Sequence, residues 1–375
     1  MRISIVIGPF FPFPPVLGGA VEKAHLALAQ AFRAAGHEVT VISRRYKDFL
    51  WEETVGGIRY IRIPSFSRHS SLLSNLILGL CYSVRAIFAL PPSDVTVTNE
   101  FFLPMILPRR KAGKIYVQVG RHPKHQMWLY SRADRLQAVS REVGNSIARQ
   151  TPWLAKKVSV IGYAISDAYF KCMQPLQRDK VVLYVGRIAK EKGIDLLIQA
   201  FVLLRERSGV SAGWQLRVVG PHEISQGGDG EEYLLYLKSK AEVLGPGCQF
   251  AEPIFDQDAL IREYQRSFVF VYPSLAEFGE ALGVAPLEAM ASGCAALVSN
   301  LRCFDDFIED GVTGLVFDQK SENAAKNLAA KLGRLMADPV LLEQIARAGH
   351  EAARRFQAES IAAKMLDDFR SLAGW

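Results

Sequence analysis

Short runs of β-branched and aliphatic residues recur along this chain, each set apart from the next by a stretch long enough for a helix. In the first half they fall at residues 3–7, 39–42, 58–63, 95–97, 115–119, 136–139 and 158–161. Between the first two, Val21, Ala24, Leu28, Ala31, Phe32 and Ala35 follow helical spacing, and Gly36 stands where a C-cap glycine belongs. The second half repeats the pattern at residues 181–185, 216–219, 268–272, 295–298 and 315–317, with Leu196, Leu197, Ala200, Phe201 and Leu204 on one face of an intervening helix. Strands joined through helices pair in parallel, in sheets covered on both faces. The pattern therefore predicts two doubly wound α/β domains, residues 1–170 and 171–355, with the polar stretch 166–180, which contains Pro175, at the boundary. Residues 356–375 read as a C-terminal helix, expected to pack back toward the N-terminal domain. Ligands of doubly wound sheets bind beyond the carboxyl ends of strands, so the chemistry is sought in the loops that leave them.

Composition excludes several classes. With 49% hydrophobic and 22% charged residues, the chain is neither disordered nor collagen-like. Cys81, Cys172, Cys248, Cys294 and Cys303 are odd in number and form no C-x-x-C pair, which argues against a disulfide framework or structural zinc and for a reducing cytoplasm. The apolar start, residues 3–7, ends at Gly8-Pro9, too short for a secretory signal, so export is not expected. Residues 72–90 approach membrane-spanning length but carry Asn75 and Arg85, and read as a buried or membrane-facing helix.

Charge is unevenly spread. Residues 1–170 hold 22 Lys+Arg against 10 Asp+Glu, whereas the remainder is mildly acidic within a net charge of +7. A basic first half suggests an anionic partner. Phe101, Phe102, Leu103, Met105, Ile106 and Leu107, followed by Arg109-Arg110-Lys111, combine apolar bulk with cations as an interfacial segment does; a buried helix flanked by a basic loop explains them equally well. Nucleic acid is not expected, because no interleaved aromatic and basic recognition motif is present.

The loop after the first strand lacks G-x-G-x-x-G, which weakens a dehydrogenase reading, but Gly18-Gly19 places bare backbone at a helix start, where amides favour an anion. Arg187 and Lys192 stand at the carboxyl end of a second-half strand, two cations suited to a diphosphate. After a later strand come Glu280, Leu282, Gly283, Val284 and Glu288; Pro286 requires the helix to begin near residues 282–285. Two carboxylates beside a positive helix end can accept sugar hydroxyls and receive phosphate oxygens together. Asp256-Gln257-Asp258 resembles a metal motif, yet it precedes an apolar helical pattern and reads as a helix cap; no metal is expected.

Gly18-Gly19, Gly36-His37-Glu38, Ala138-Val139-Ser140, Gly186-Arg187, Lys192-Gly193, the Glu280-x7-Glu288 block and Gly311-Val312-Thr313-Gly314, in this order, resemble glycosyltransferase family four across nearly the whole chain. The family's enzymes are retaining and of GT-B architecture, with two Rossmann-like domains facing across a central cleft. The resemblance implies a nucleotide-diphosphate sugar, UDP- or GDP-linked, bound mainly by the C-terminal domain, a saccharide or lipid-linked acceptor bound mainly by the N-terminal domain, and no required cofactor. It makes Glu288 the ribose ligand, Glu280 the ligand of donor-sugar hydroxyls, Arg187 and Lys192 the diphosphate clamp, and His122 the active-site histidine. Backbone near Ile254 is the expected base-recognition segment. The departing phosphate is expected to help deprotonate the acceptor, so no protein nucleophile is assigned. Leu282-Gly283 replaces the usual Phe-Gly, Gly162-Tyr163-Ala164 replaces Pro-Asn-Gly, and Ala295-Ala296 replaces Pro-Val. The expected setting is glycan biosynthesis in the cytoplasm, with peripheral contact at the inner face of the membrane; the alternative is a nucleotide-sugar epimerase or hydrolase of the same architecture.

Overall fold

Parallel pairing dominates both sheets. The computed structural model describes residues 1–67, 71–171, 178–206 and 212–374; Cys172 and Pro175 lie outside the described residues. The chain divides into two compact units, Met1–Asp167 with Phe356–Trp375, and Ala168–Arg355.

The first unit runs β1 (Arg2–Val6), α1 (Ala20–Ala34), β2 (Glu38–Arg44), β3 (Glu52–Val55), β4 (Ile58–Ile63), α2 (Leu72–Ala89), β5 (Val95–Thr98), α3 (Leu103–Ile106), α4 (Arg109–Ala112), β6 (Lys114–Val119), β7 (Arg135–Ala138), α5 (Arg141–Gln150) and β8 (Val158–Val160). Its sheet order is β3-β4-β2-β1-β5-β6-β7-β8. Every neighbouring pair is parallel except β3 with β4. Ile5 lies between Val41 and Val97, and all three are fully buried, so the β-branched runs become strands because both their faces are covered. Burying one such side chain contributes about 1.5–3 kcal/mol.

The second unit runs β9 (Asp179–Val185), α6 (Ile194–Glu206), β10 (Gln215–Val219), α7 (Gly230–Ala241), β11 (Cys248–Ala251), α8 (Gln257–Gln265), β12 (Ser267–Tyr272), α9 (Val284–Ala291), β13 (Ala295–Ser299), β14 (Leu315–Phe317), α10 (Ala324–Ala337) and α11 (Pro339–Ala353). Its sheet is parallel throughout, in the order β11-β10-β9-β12-β13-β14.

The chain then returns to the first unit as α12 (Ala358–Ala373), anchored where the Ile165 amide donates to the Phe356 carbonyl at 2.8 Å and the Ala358 amide to the Ile165 carbonyl at 3.0 Å. Phe369 packs against Phe32 and Tyr116, with ring centroids 5.7 and 5.0 Å away.

Two strands carried no apolar run in the sequence. β3 pairs antiparallel with β4 across Gly56-Gly57, and β11 is four residues long. Both are sheet edges, largely exposed or only half-buried, so neither needs a hydrophobic pattern. The interfacial reading of residues 101–107 is corrected. Leu103, Pro104 and Leu107 are buried, and Glu100 fastens the segment inward by accepting the Phe102 and Leu103 amides at 2.7 Å each. The buried-helix alternative describes it.

Candidate active site

In the second unit the strand order reverses between β9 and β12, so the loops leaving these two strands flank the switch point where doubly wound sheets take ligands. The β9 loop carries Arg187 and a tight turn, Lys190–Lys192, that ends on Gly193. Gly193 has φ 65°, and a Cβ there would sit 2.2 Å from the Pro273 carbonyl oxygen. Only glycine lets the two loops touch, and this close approach brings Lys192 to Glu280.

Lys192 Nζ donates to Glu280 Oε1, with side-chain exposures of 6% and 9%. The same oxygen accepts from the Tyr272 hydroxyl at 2.9 Å and from Ser274 Oγ at 3.1 Å. Three donors thus converge on Oε1, while no described residue donates to Oε2. Burial first, and the Glu280 charge second, push the Tyr272 phenol far above its ordinary range, so it stays a donor. Tyr184 stacks on Tyr272 with centroids 5.9 Å apart, and its hydroxyl donates to the Arg187 carbonyl at 2.8 Å.

Arg187 belongs to the same network. Its guanidinium donates to Glu191 Oε1 at 2.8 Å and to the Gly227 carbonyl, and Glu191 Oε1 lies 3.6 Å from Lys192 Nζ. Unlike the Lys192 pair it is accessible, with Arg187 and Glu191 side chains 42% and 44% exposed.

Glu288 lies in the second turn of α9, buried, accepting from the Tyr264 hydroxyl at 3.1 Å. Tyr264, Phe270 and Tyr272 form a row, with successive centroids 5.7 and 6.2 Å apart, leading from Glu288 to Glu280. Gly283 caps α9 at φ 82°, and a Cβ there would meet Phe304 Cε1 at 2.4 Å. The Val284 and Ala285 amides that follow have no carbonyl one turn back, so they can serve an anion. Leu282 is buried and Val284 half-buried. Ile254 stands in the loop after β11, at the carboxyl end of the same sheet but two strands from β9. Asp256 accepts the Ala259 amide at 2.8 Å as the N-cap of α8. Among the described residues no three His, Cys, Asp or Glu side chains are grouped to hold a metal.

In the first unit, Gly18 and Gly19 have φ 73° and 100°, and Gly19 caps α1. His122 is half-buried in the loop after β6. Two neighbours were given no role by the sequence. Glu22, in the first turn of α1, is buried, and burial pushes its carboxyl up to about 7 against the opposing effects of a backbone hydrogen bond and of the Arg121 charge. Tyr163, one of the departures noted above, is buried with its hydroxyl beside Gly120, where a Cβ would meet it at 1.7 Å.

The sequence placed Arg187, Lys192 and Glu280 at strand ends and Glu288 about one turn into the following helix, and the structure joins the first three in one network. It did not identify Glu191, Tyr264, Tyr272 or Ser274. Tyr272 and Ser274 bracket Pro273 at a strand end, so their position was legible although their target was not.

A solved structure with the same fold is Anabaena Alr3699/HepE in complex with UDP and glucose, at TM-score 0.74 and 18% identity, covering 99% of this chain and all of that one. A family model described as "Glycosyl transferases group 1" matches residues 169–352, and a "Glycosyl transferase 4-like domain" model matches residues 19–164. The chain belongs to the GT-B glycosyltransferases. Among curated glycosyltransferases, it is 33% identical over 159 residues to the lipopolysaccharide 1,2-N-acetylglucosaminetransferase of Salmonella typhimurium, covering 42% of this chain and 39% of that one. It is 27% identical over 235 residues to the capsular polysaccharide biosynthesis glycosyltransferase CapM of Staphylococcus aureus, covering 59% and 56%. The chain thus spans about half the length or less of these two relatives.

Proposed function

We propose that this glycosyltransferase moves a sugar, with retention at the anomeric carbon, from a nucleotide-diphosphate donor to a saccharide or lipid-linked saccharide in glycan biosynthesis. The observation that carries the reading is the Glu280 carboxylate. Lys192, Tyr272 and Ser274 hold Oε1, and Oε2 remains to accept a donor-sugar hydroxyl. Lys192 uses one of its three N–H donors on Glu280, leaving two for the diphosphate. Together with Arg187 and the amides near Gly283 and Val284, it neutralises charge that develops on the leaving group. Glu288 holds the ribose, and backbone near Ile254 meets the base. In the N-terminal unit, Gly18 and Gly19 offer helix-start amides to an anion, and His122 orients the transferred sugar. The departing phosphate takes the acceptor proton, so no protein nucleophile acts.

The relatives named above are transferases of lipopolysaccharide and capsular polysaccharide, and this supports a glycan acceptor. The UDP in the Anabaena structure supports a nucleotide-diphosphate sugar as donor, UDP- or GDP-linked. An epimerase or hydrolase is not favoured, because both matched models describe transferases. The reading places the enzyme in the cytoplasm, at the inner face of the membrane.

The test is a thermal-shift panel of UDP, GDP, ADP and their sugars. A ligand at 100 times its dissociation constant stabilises by about 2.7 kcal/mol, enough to resolve. UDP or GDP, with the matching sugar, is expected to raise the transition temperature, and silence from every nucleotide overturns the reading. The anomeric configuration of the product, read by NMR, tests retention.

A further inference from the structure

Helix α2 is turned opposite to the usual sense. It is long and apolar enough by composition to cross a membrane, yet only 22% of it is buried. The residues it buries are small or polar-tipped, Gly79, Tyr82, Ser83 and Ala86. Tyr82 donates its hydroxyl to the Ile7 carbonyl at 2.8 Å, and Ser83 Oγ donates to Glu100 Oε2 at 2.6 Å. Those bonds pin the helix along the first unit. Leu72, Leu73, Ile77, Leu80, Val84 and Phe88 point the other way as one stripe at helical spacing, with Phe88 80% and Leu72 73% exposed. A soluble surface rarely presents a contiguous apolar patch of this kind without a partner.

The charges around the stripe choose the partner. The described helix contains no acidic residue, and its one charged side chain, Arg85, is exposed. Lys111 Nζ donates to the Ile87 and Phe88 carbonyls at 2.8 and 3.0 Å, so the Arg109-Arg110-Lys111 cluster sits at the C-terminal end of the stripe. A second copy of the chain would bring the same cations to the shared seam. Arg109 is already paired with Asp134 at 2.9 Å, and an anionic lipid surface neutralises Arg85, Arg110 and Lys111 while its acyl boundary takes the leucines.

We propose that α2 docks the protein onto an anionic bilayer, lying flat in the interface with Leu73, Ile77, Leu80 and Phe88 inserted and Arg85, Arg110 and Lys111 against lipid headgroups. This deepens the peripheral placement proposed above and stands apart from the donor chemistry. The sequence analysis paired Arg109-Arg110-Lys111 with residues 101–107, of which Leu103, Pro104 and Leu107 are buried.

The experiment is sedimentation of the full chain with phosphatidylglycerol-containing and pure phosphatidylcholine vesicles at low and high salt. Binding to the anionic vesicles, weakened by salt, is expected. Ile77→Glu/Leu80→Glu should lower the partition constant by about tenfold or more, and Arg110→Glu should lower it less while reducing the salt dependence. These positions are exposed, so the variants keep their fold, and an unchanged melting temperature and nucleotide response verify that. Absence of binding to anionic vesicles, or equal binding by the glutamate variant, overturns the proposal. So does a wild-type dimer in sedimentation equilibrium that the same substitutions dissolve, which would make the occupant a second copy. Vesicle binding without any nucleotide response would leave the docking face standing and remove the transferase reading.

Discussion

Lys192 and Glu280 are bonded to each other out of solvent, with Tyr272 and Ser274 sharing the same carboxylate oxygen. A buried pair of this kind is costly to break by removing one partner, typically about 3–5 kcal/mol, because the remaining charge is stranded. Glu280→Ala strands Lys192, although Glu191 at 3.6 Å softens the loss toward the lower figure. Urea denaturation is expected to show a loss of about 3 kcal/mol, together with loss of sugar transfer. Lys192→Met/Glu280→Leu, which removes both charges, should recover most of the stability and none of the transfer.

Arg187 separates function from stability. Its pairing with Glu191 is about half exposed on both sides, so Arg187→Ala should change unfolding free energy by no more than about 1 kcal/mol. The same substitution should slow sugar transfer by about a hundred- to a thousandfold, the usual scale for losing one preorganised group at a developing negative charge. Initial rates beside a denaturation curve check both; a parallel loss of stability would contradict the assignment.

Gly283→Ala tests the start of α9. A side chain there is strained at φ 82° and runs into the Phe304 ring. The strain alone is on the order of 1–3 kcal/mol. Nucleotide affinity, measured by calorimetry, should fall as well, because the amides that follow shift with the cap.

Glu22 predicts a pH dependence. Below pH 4.5 the carboxyl is protonated in both folded and unfolded chains; above it the unfolded chain ionises, while the folded carboxyl holds its proton to about 7. Its stabilising contribution is therefore whole below 4.5 and lost as pH rises through 7, a change on the order of 3 kcal/mol. His25, one turn on, is fully buried and pushed down to about 4 by burial, so its contribution is whole above 6.5 and lost as pH falls through 4. The two slopes oppose each other on one helix. Glu22→Gln should uncover the histidine slope, so that stability climbs more steeply with pH between about 4 and 6.5 than in the wild type. Denaturation curves across this range decide it.

The sheets were legible because parallel strands buried on both faces are continuous β-branched runs, as at Val181–Val182 and Val269–Val271. β3 and β11 were not, because an edge needs no such run. Motif spacing placed Arg187, Lys192, Glu280 and Glu288 near strand ends, where strand order matters more than side-chain direction. It could not show that Lys192 spends a donor on Glu280, which depends on how closely Gly193 lets two loops approach. Nor could it show that Glu22 and Tyr163, 141 positions apart in the numbering, come close enough for the Glu22 charge to add to burial in raising the Tyr163 phenol. In α2, composition announced an apolar helix, but which face turned outward was decided by Tyr82 and Ser83, two polar atoms with partners on other elements.

Phe369 occupies the space between Phe32 and Tyr116, so the first unit completes its aromatic packing with a residue translated after the whole of the second unit. On the ribosome the continuous second unit can close as soon as it emerges, whereas the earlier-made sheet must wait, with one flank bare, for α12 to arrive. The sheet made first is thus the one whose packing is finished last, by a helix that the chain supplies only after all of the second unit.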